Sequence, residues 1–155
     1  DTDELRRQFE INLFGVHNVT RAFADLLGAD RERAGKPGRI GMSSSVGGQN
    51  GSPFVGPYSA SKFALEGYSQ SLRRELMLYG IDVIVIGPGA IATPIWDKAE
   101  QNDLKRFSNT PYAPAVERVA DYMLKQGRDG LPASEVGELI WRCLADANPK
   151  TRYAI

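Results

Sequence analysis

The sequence predicts an α/β fold built on a parallel sheet, and three stretches carry that prediction. Ile81-Asp82-Val83-Ile84-Val85-Ile86 is an apolar, β-branched run of strand length, stopped at once by Gly87-Pro88-Gly89. Gly38-Arg39-Ile40-Gly41-Met42 reads as a shorter strand running into the serine- and glycine-rich turn Ser43-Ser44-Ser45-Val46-Gly47-Gly48. Between them lies a helical pattern that opens near Tyr58 and reaches about Tyr79, where Gly80 stops it. Apolar runs of this kind are the strands that parallel sheets bury on both faces.

The elements follow in order. Asp1 with Glu4 resembles a capping pair opening a first helix that runs to about Leu27. Leu5, Phe9, Val16, Val19, Phe23 and Leu26 form its apolar stripe at spacings of three, four and seven, and Asn12 falls on that stripe. A buried amide must find partners or cost free energy, so an asparagine there suggests a purpose; the plainer reading is a core amide bonded to backbone carbonyls. Arg31 to Lys36 is a polar connection, read as a solvated loop. On the second helix Leu65, Tyr68, Leu72, Leu76 and Tyr79 make an apolar stripe, while Ala60, Ala64, Gly67 and Ser71 make a row of small residues that lets a neighbour approach closely. From Thr93 to Thr110 periodicity is lost, and a long irregular connection inside a compact domain is usually functional. Residues 115–126 and 133–145 read as helices, the second between Pro132 and Asn148-Pro149, and a last strand closes the chain.

Chemistry concentrates on Tyr58 and Lys62, one helical turn apart, with Ser45 thirteen residues upstream of the tyrosine. Residues i and i+4 share a helix face. The ammonium can therefore sit near the phenol and favour its ionised form, since charges about 4 Å apart at an effective dielectric near 20 interact by roughly 4 kcal/mol. Ser45 falls at the carboxyl end of its strand, where open α/β sheets bind ligands and a hydroxyl can donate to a carbonyl oxygen. Alone, Tyr-x-x-x-Lys arises by chance in roughly one chain in four of this composition, and the plainer reading is an amphipathic helix with an exposed lysine. The surrounding turns change that balance.

Ser45-Val46-Gly47-Gly48, the Tyr58-x-x-x-Lys62 pair and Pro88-Gly89-Ala90-Ile91-Ala92-Thr93 resemble the short-chain dehydrogenase/reductases of the classical type. The run Tyr58-Ser59-Ala60-Ser61-Lys62-Phe63-Ala64-Leu65-Glu66-Gly67 is similar to hydroxysteroid dehydrogenase-like members. The likeness extends from Asn12 in Asn12-Leu13-Phe14-Gly15-Val16 to Ile155. It implies Tyr58 as catalytic acid/base, Lys62 favouring the phenolate and holding the nicotinamide ribose, Ser45 steadying the substrate oxygen, and Asn12 anchoring a water in the proton relay. It also implies that Pro88 and Gly89 pack against the nicotinamide, that the Ile91 backbone meets its carboxamide, and that Thr93 approaches the nicotinamide side or the phosphates. The segment after Thr93 would cover the substrate, with Trp96, Phe107 and Tyr112 as an aromatic wall; ordinary packing against the sheet is the even alternative. Family members pair their two long helices across a two-fold axis, so a homodimer or homotetramer is expected.

The family's glycine-rich turn after a first strand, and the residue that selects the cofactor after the second, are not found here. Residues 1–155 are therefore expected to form a single partial domain, the catalytic and substrate-binding half. This would be the C-terminal part of a Rossmann-like, doubly wound parallel sheet in three αβα layers. The N-terminal cofactor-binding half would belong to a longer natural protein. The implied reaction is NAD- or NADP-dependent interconversion of a secondary alcohol and a ketone. A catalytically silent relative used for binding or assembly is the alternative.

Composition narrows the field further. Nineteen basic residues balance nineteen acidic ones, leaving no footprint for nucleic acid. No apolar run approaches the roughly 20 residues of a membrane span, and one cysteine makes no internal disulfide; a cytoplasmic enzyme is the expectation. No metal site is predicted, because His17 is the only histidine and Cys143 the only cysteine. Both read as packing or surface residues. Gly47-Gly48-Gln49-Asn50-Gly51 invites a phosphate-loop reading, but no Lys-Ser or Lys-Thr follows, and it reads as a turn.

Overall fold

Asp1 opens the first helix as its spacing to Glu4 predicts, its carboxylate accepting the Glu4 N–H at 2.8 Å. The structure, a computed structural model, describes residues 1–30 and 32–155, so Arg31 of the predicted solvated loop lies outside the described residues. In chain order the elements are α1 (Thr2–Phe9), α2 (Gly15–Ala24), β1 (Arg39–Ser43), α3 (Gly56–Leu76), β2 (Asp82–Gly87), β3 (Ile91–Ala92), α4 (Ile95–Glu100), α5 (Ala113–Arg128), β4 (Leu131–Pro132), α6 (Ala133–Ala145) and β5 (Arg152–Ala154). They fall into two compact units, Asp1–Pro88 with Ile140–Ile155, and Gly89–Leu139.

In the first unit the strands form a three-stranded sheet in the order β1-β2-β5. Both pairings are parallel, with Ile40 opposite Val83, Met42 opposite Val85, and Ile86 opposite Tyr153. The predicted run becomes the central strand, and Val83 to Ile86 are all buried. Ile40, Met42, Val83 and Val85 present one face to Leu65 and Leu76 of α3, with Tyr68, Leu72 and Tyr79 packed around them. The whole predicted stripe of α3 thus meets the sheet. Leu65 is fully buried, a contribution of about 1.5–3 kcal/mol for a side chain of its size. Gly80 ends the helix in the left-handed region at φ 70°, as a C-terminal glycine should. The row of small residues points outward, Ala60, Gly67 and Ser71 being exposed.

The first helix departs from expectation. Leu5, Val19, Phe23 and Leu26 are exposed, whereas Val16, Thr20 and Leu27 turn inward. A wide, π-helical turn at Glu10–Phe14 lies within this helix and disturbs its regular period, although Leu5 is already exposed ahead of it. Beyond it the buried position is Thr20, one turn after Val16, while Val19 beside it is exposed.

In the second unit β3 and β4 pair in parallel over two positions, Ile91 with Leu131 and Ala92 with Pro132. The stretch expected to be irregular instead forms α4 and a short 3₁₀ turn at Leu104–Phe107. The local reason is capping: the Asp103 carboxylate accepts the Lys105 N–H at 2.9 Å, and Pro94 fixes the start of α4. The other two helices appear where predicted, α5 somewhat longer than 115–126.

Candidate active site

Ser45 leaves β1 in extended conformation and caps the one-turn helix Val46–Gly48, its Oγ accepting the Gly47 N–H at 3.0 Å. The same hydroxyl donates to the Pro88 carbonyl at 3.5 Å, while the Val46 N–H donates to that carbonyl at 2.9 Å. The turns after β1 and β2 are thereby tied together at the carboxyl ends of neighbouring parallel strands, the rim where open α/β sheets bind ligands.

Tyr58 rises from the first turn of α3 and keeps 36% of its surface exposed. Gly47 lies between it and Ser45: a methyl group built on Gly47 would stand 3.2 Å from Tyr58 Cε1 and 3.4 Å from Ser45 Oγ, so the bare Cα leaves the phenol ring and the hydroxyl their room. Lys62, one turn on, donates from Nζ to the Ser43 carbonyl at 2.9 Å and lies 5.8 Å from the centre of the Tyr58 ring. Burial holds its pKa below the ordinary lysine value, because the charged form loses water there.

Asn12 sits within the wide turn of the first helix. Its Nδ2 donates to Gln8 Oε1 and to Ser61 Oγ, both at 3.0 Å. Ser61 in turn donates to the Tyr58 carbonyl at 2.7 Å. The asparagine is thus linked to the backbone of Tyr58 through a fully buried hydroxyl. Its amide nitrogen bonds two side chains rather than backbone carbonyls. π-turns of this kind often mark functional positions.

The structure brings Asn12, Ser45, Tyr58, Lys62 and Pro88 together in the first unit; Gly89, Ile91, Thr93 and Trp96 belong to the second. There the Trp96 indole N–H donates to the Ile91 carbonyl at 2.7 Å, and its ring lies against Gly127, leaving no room for a side chain. Phe107 is partly buried beneath the Arg106 guanidinium, 4.7 Å from its ring, and Tyr112 is exposed. His17 Nδ1 meets the Tyr68 hydroxyl at 3.1 Å on the surface, and Cys143 is buried. Among the described residues no three His, Cys, Asp or Glu side chains gather as a metal-holding group.

Three contributors escape a reading of the sequence. Gly47 and Ser61 carry a weak signal, a glycine and a serine inside otherwise informative motifs. The third is an ion pair between Glu66 of α3 and Arg152 of β5, 86 positions apart, with Arg152 Nε 3.2 Å from both carboxylate oxygens. No local pattern announces that pairing.

A parallel α/β sheet with Ser45 just past one strand end, beside Tyr58 and Lys62 of α3, is part of a Rossmann-like scaffold. The chain belongs to the short-chain dehydrogenase family: the family model for short chain dehydrogenases matches residues 1–104. The NADPH-dependent 3-dehydrocapnine reductase of Ornithobacterium rhinotracheale is 37% identical over 153 residues, which cover 99% of this chain and 53% of the reductase. The 3-ketodihydrosphingosine reductase of Bacteroides thetaiotaomicron is 34% identical over 153 residues, 99% of this chain and 55% of that protein. Among solved structures, a short-chain dehydrogenase from Streptomyces avermitilis superposes with a TM-score of 0.75 at 29% identity, over 99% of this chain and 53% of its own. A 3-oxoacyl-[acyl-carrier protein] reductase from Brucella melitensis with bound NAD gives 0.67 at 30% identity, over 100% and 51%. The chain spans about half the length of the curated relatives it matches.

Proposed function

We propose that the protein of which these residues form the catalytic and substrate-binding half is an NAD(P)-dependent oxidoreductase interconverting a secondary alcohol and a ketone. The observation that carries the reading is that Tyr58 and Ser45 flank the bare Cα of Gly47, with the Lys62 ammonium 5.8 Å from the phenol ring. The donor set fits the nicotinamide end of a dinucleotide: a lysine ammonium held at the strand ends beside a partly exposed phenol. When bound, the cofactor supplies or accepts the hydride.

In the reductive direction Tyr58 gives its phenolic proton to the ketone oxygen, and in the oxidative direction it removes the proton from the alcohol. Lys62 opposes the negative charge that this leaves on the phenol and holds the ribose hydroxyls. Ser45 donates to the reacting oxygen; its bond to the Pro88 carbonyl is at the long limit, so redirecting that proton costs little. Ser61 fixes the first turn of α3 through the Tyr58 carbonyl, and Asn12 anchors a water in the proton relay. Pro88 and Gly89 pack against the nicotinamide, the Ile91 backbone meets its carboxamide, Thr93 approaches the nicotinamide side or the phosphates, and Trp96 helps to wall the substrate.

Relatives named for 3-ketodihydrosphingosine and 3-dehydrocapnine favour ketone reduction on a lipophilic substrate. NAD or NADP serves as cofactor. Exposed Val19, Phe23 and Leu26 on the first helix, with the small outward row of α3, support a homodimer or homotetramer. Absorbance at the reduced-nicotinamide band, recorded for the full-length protein with a panel of ketones and alcohols, tests the reading. Turnover of a ketone or secondary alcohol supports it. A protein that binds the cofactor but turns over nothing in either direction would mean that the scaffold is used for binding alone.

A further inference from the structure

Glu66 has no part in the chemistry above, yet it is a carboxylate only 6% exposed. Its partner Arg152 keeps 21% of its side chain exposed, and the pair closes at 3.2 Å. An ion pair taken out of water is no better for stability than apolar side chains of the same size, so its presence asks for another reason. The reason lies in what else the guanidinium touches. Arg152 Nη2 donates to the Ser45 carbonyl at 3.4 Å. Its planar face lies on Gly87, where any side chain would collide with it, immediately before the Pro88 carbonyl that anchors Ser45 Oγ and Val46 N–H. The Glu66 stem closes the arrangement from the other side: a methyl group on Gly48 would stand 3.0 Å from Glu66 Cγ and 3.1 Å from the Lys62 carbonyl.

We propose that Glu66 and Arg152 form a positioning pair for the reaction. Arg152 bonds Glu66 of α3 and the Ser45 carbonyl with one rigid guanidinium packed on Gly87 at the end of β2, and so sets the direction of the Ser45 hydroxyl relative to Tyr58. Arginine suits this task because its fork satisfies a carboxylate and a carbonyl at fixed angles, which a single ammonium does not. Neither residue touches substrate or cofactor. The inference rests on the proposed acid/base role of Ser45 and Tyr58, and adds residues that act through them.

The test is a cycle in the full-length protein, with Arg152→Met made in both the natural background and the Ser45→Ala background. Displacing a reactive group by about an ångström slows turnover by up to about 100-fold, so Arg152→Met is expected to lower kcat about 10- to 100-fold while cofactor binding holds. In the Ser45→Ala protein the same change is expected to alter kcat less than about twofold, because residues that act as one unit do not add. Arg152→Lys should fall between the two. An equal loss in both backgrounds, or no loss in the natural one, overturns the proposal. If Arg152→Met does not fold, Glu66→Gln keeps size and shape and runs the same cycle. Loss of turnover in Tyr58→Phe confirms the acid/base reading separately. Should the natural protein turn nothing over, amide hydrogen exchange still decides: Arg152→Met must speed exchange at residues 44–48 and spare β1, and unchanged rates there overturn the proposal.

Discussion

The first helix and α3 both carry apolar stripes at helical spacing, yet they end in opposite situations. The stripe of α3 is consumed by the sheet, and its buried positions include Ser59, Ser61, Glu66 and Ser69. The first helix buries Thr20 and leaves Phe23 and Leu26 more than half exposed. Hydrophobic surface left in water is surface available for a partner; polar groups taken out of water need fixed partners. The comparison teaches that α3 is where this chain sets its geometry, and that the first helix combines the Asn12–Ser61 bond with an exposed apolar face.

The largest effect should come from Lys62. Lys62→Met is expected to lower turnover by about 10²–10⁴-fold, the scale of losing assisted acid/base catalysis, and to weaken dinucleotide binding in a fluorescence titration. The same variant should melt higher at neutral pH. Burial lowers the folded-state pKa of Lys62 from 10.5, so the unfolded chain holds that proton more tightly. The natural protein therefore carries the full desolvation cost below the folded-state pKa and sheds it as pH rises towards the unfolded value. The gap in melting temperature should close over that window. A variant that melts lower than the natural protein at neutral pH would show that Lys62 stabilises the fold.

Next, Leu65→Ala should cost about 2–5 kcal/mol in urea unfolding, whereas Phe23→Ser should leave the subunit's unfolding midpoint within about 0.5 kcal/mol and instead shift sedimentation towards smaller species. If both act alike on stability, the contrast between the two helices fails. Smaller again is Gly47→Ala: its methyl group would press the Tyr58 ring and the Ser45 hydroxyl apart. A loss of roughly tenfold in kcat with little change in KM is expected, read by steady-state kinetics.

Much of this organisation was legible because its signals are contiguous. Val83 to Ile86 announced a doubly buried strand, Gly80 the end of α3, and the Ser45, Tyr58 and Lys62 spacing the shared rim. Where reading failed, the determinants are geometric or remote. π-helical turns at Glu10–Phe14 and Asp25–Ala29 interrupt the first helix, and residue periodicity holds no trace of them. The helix α4 escapes the sequence because six residues make fewer than two turns, too few for a period to register. Glu66 and Arg152 meet only because β5 pairs with β2 beside α3, a fact of tertiary topology. Their partnership with Ser45 is the part of the site that no motif contains.

The central claim is that Tyr58, assisted by Ser45 and Lys62, exchanges the proton that accompanies hydride transfer. It is tested most directly by following the reduced-nicotinamide band in the full-length protein and its Tyr58→Phe variant, with the same ketone. The account predicts turnover in the first and a loss of at least about 100-fold in the second, with dinucleotide affinity kept. Comparable turnover in the two proteins would contradict it.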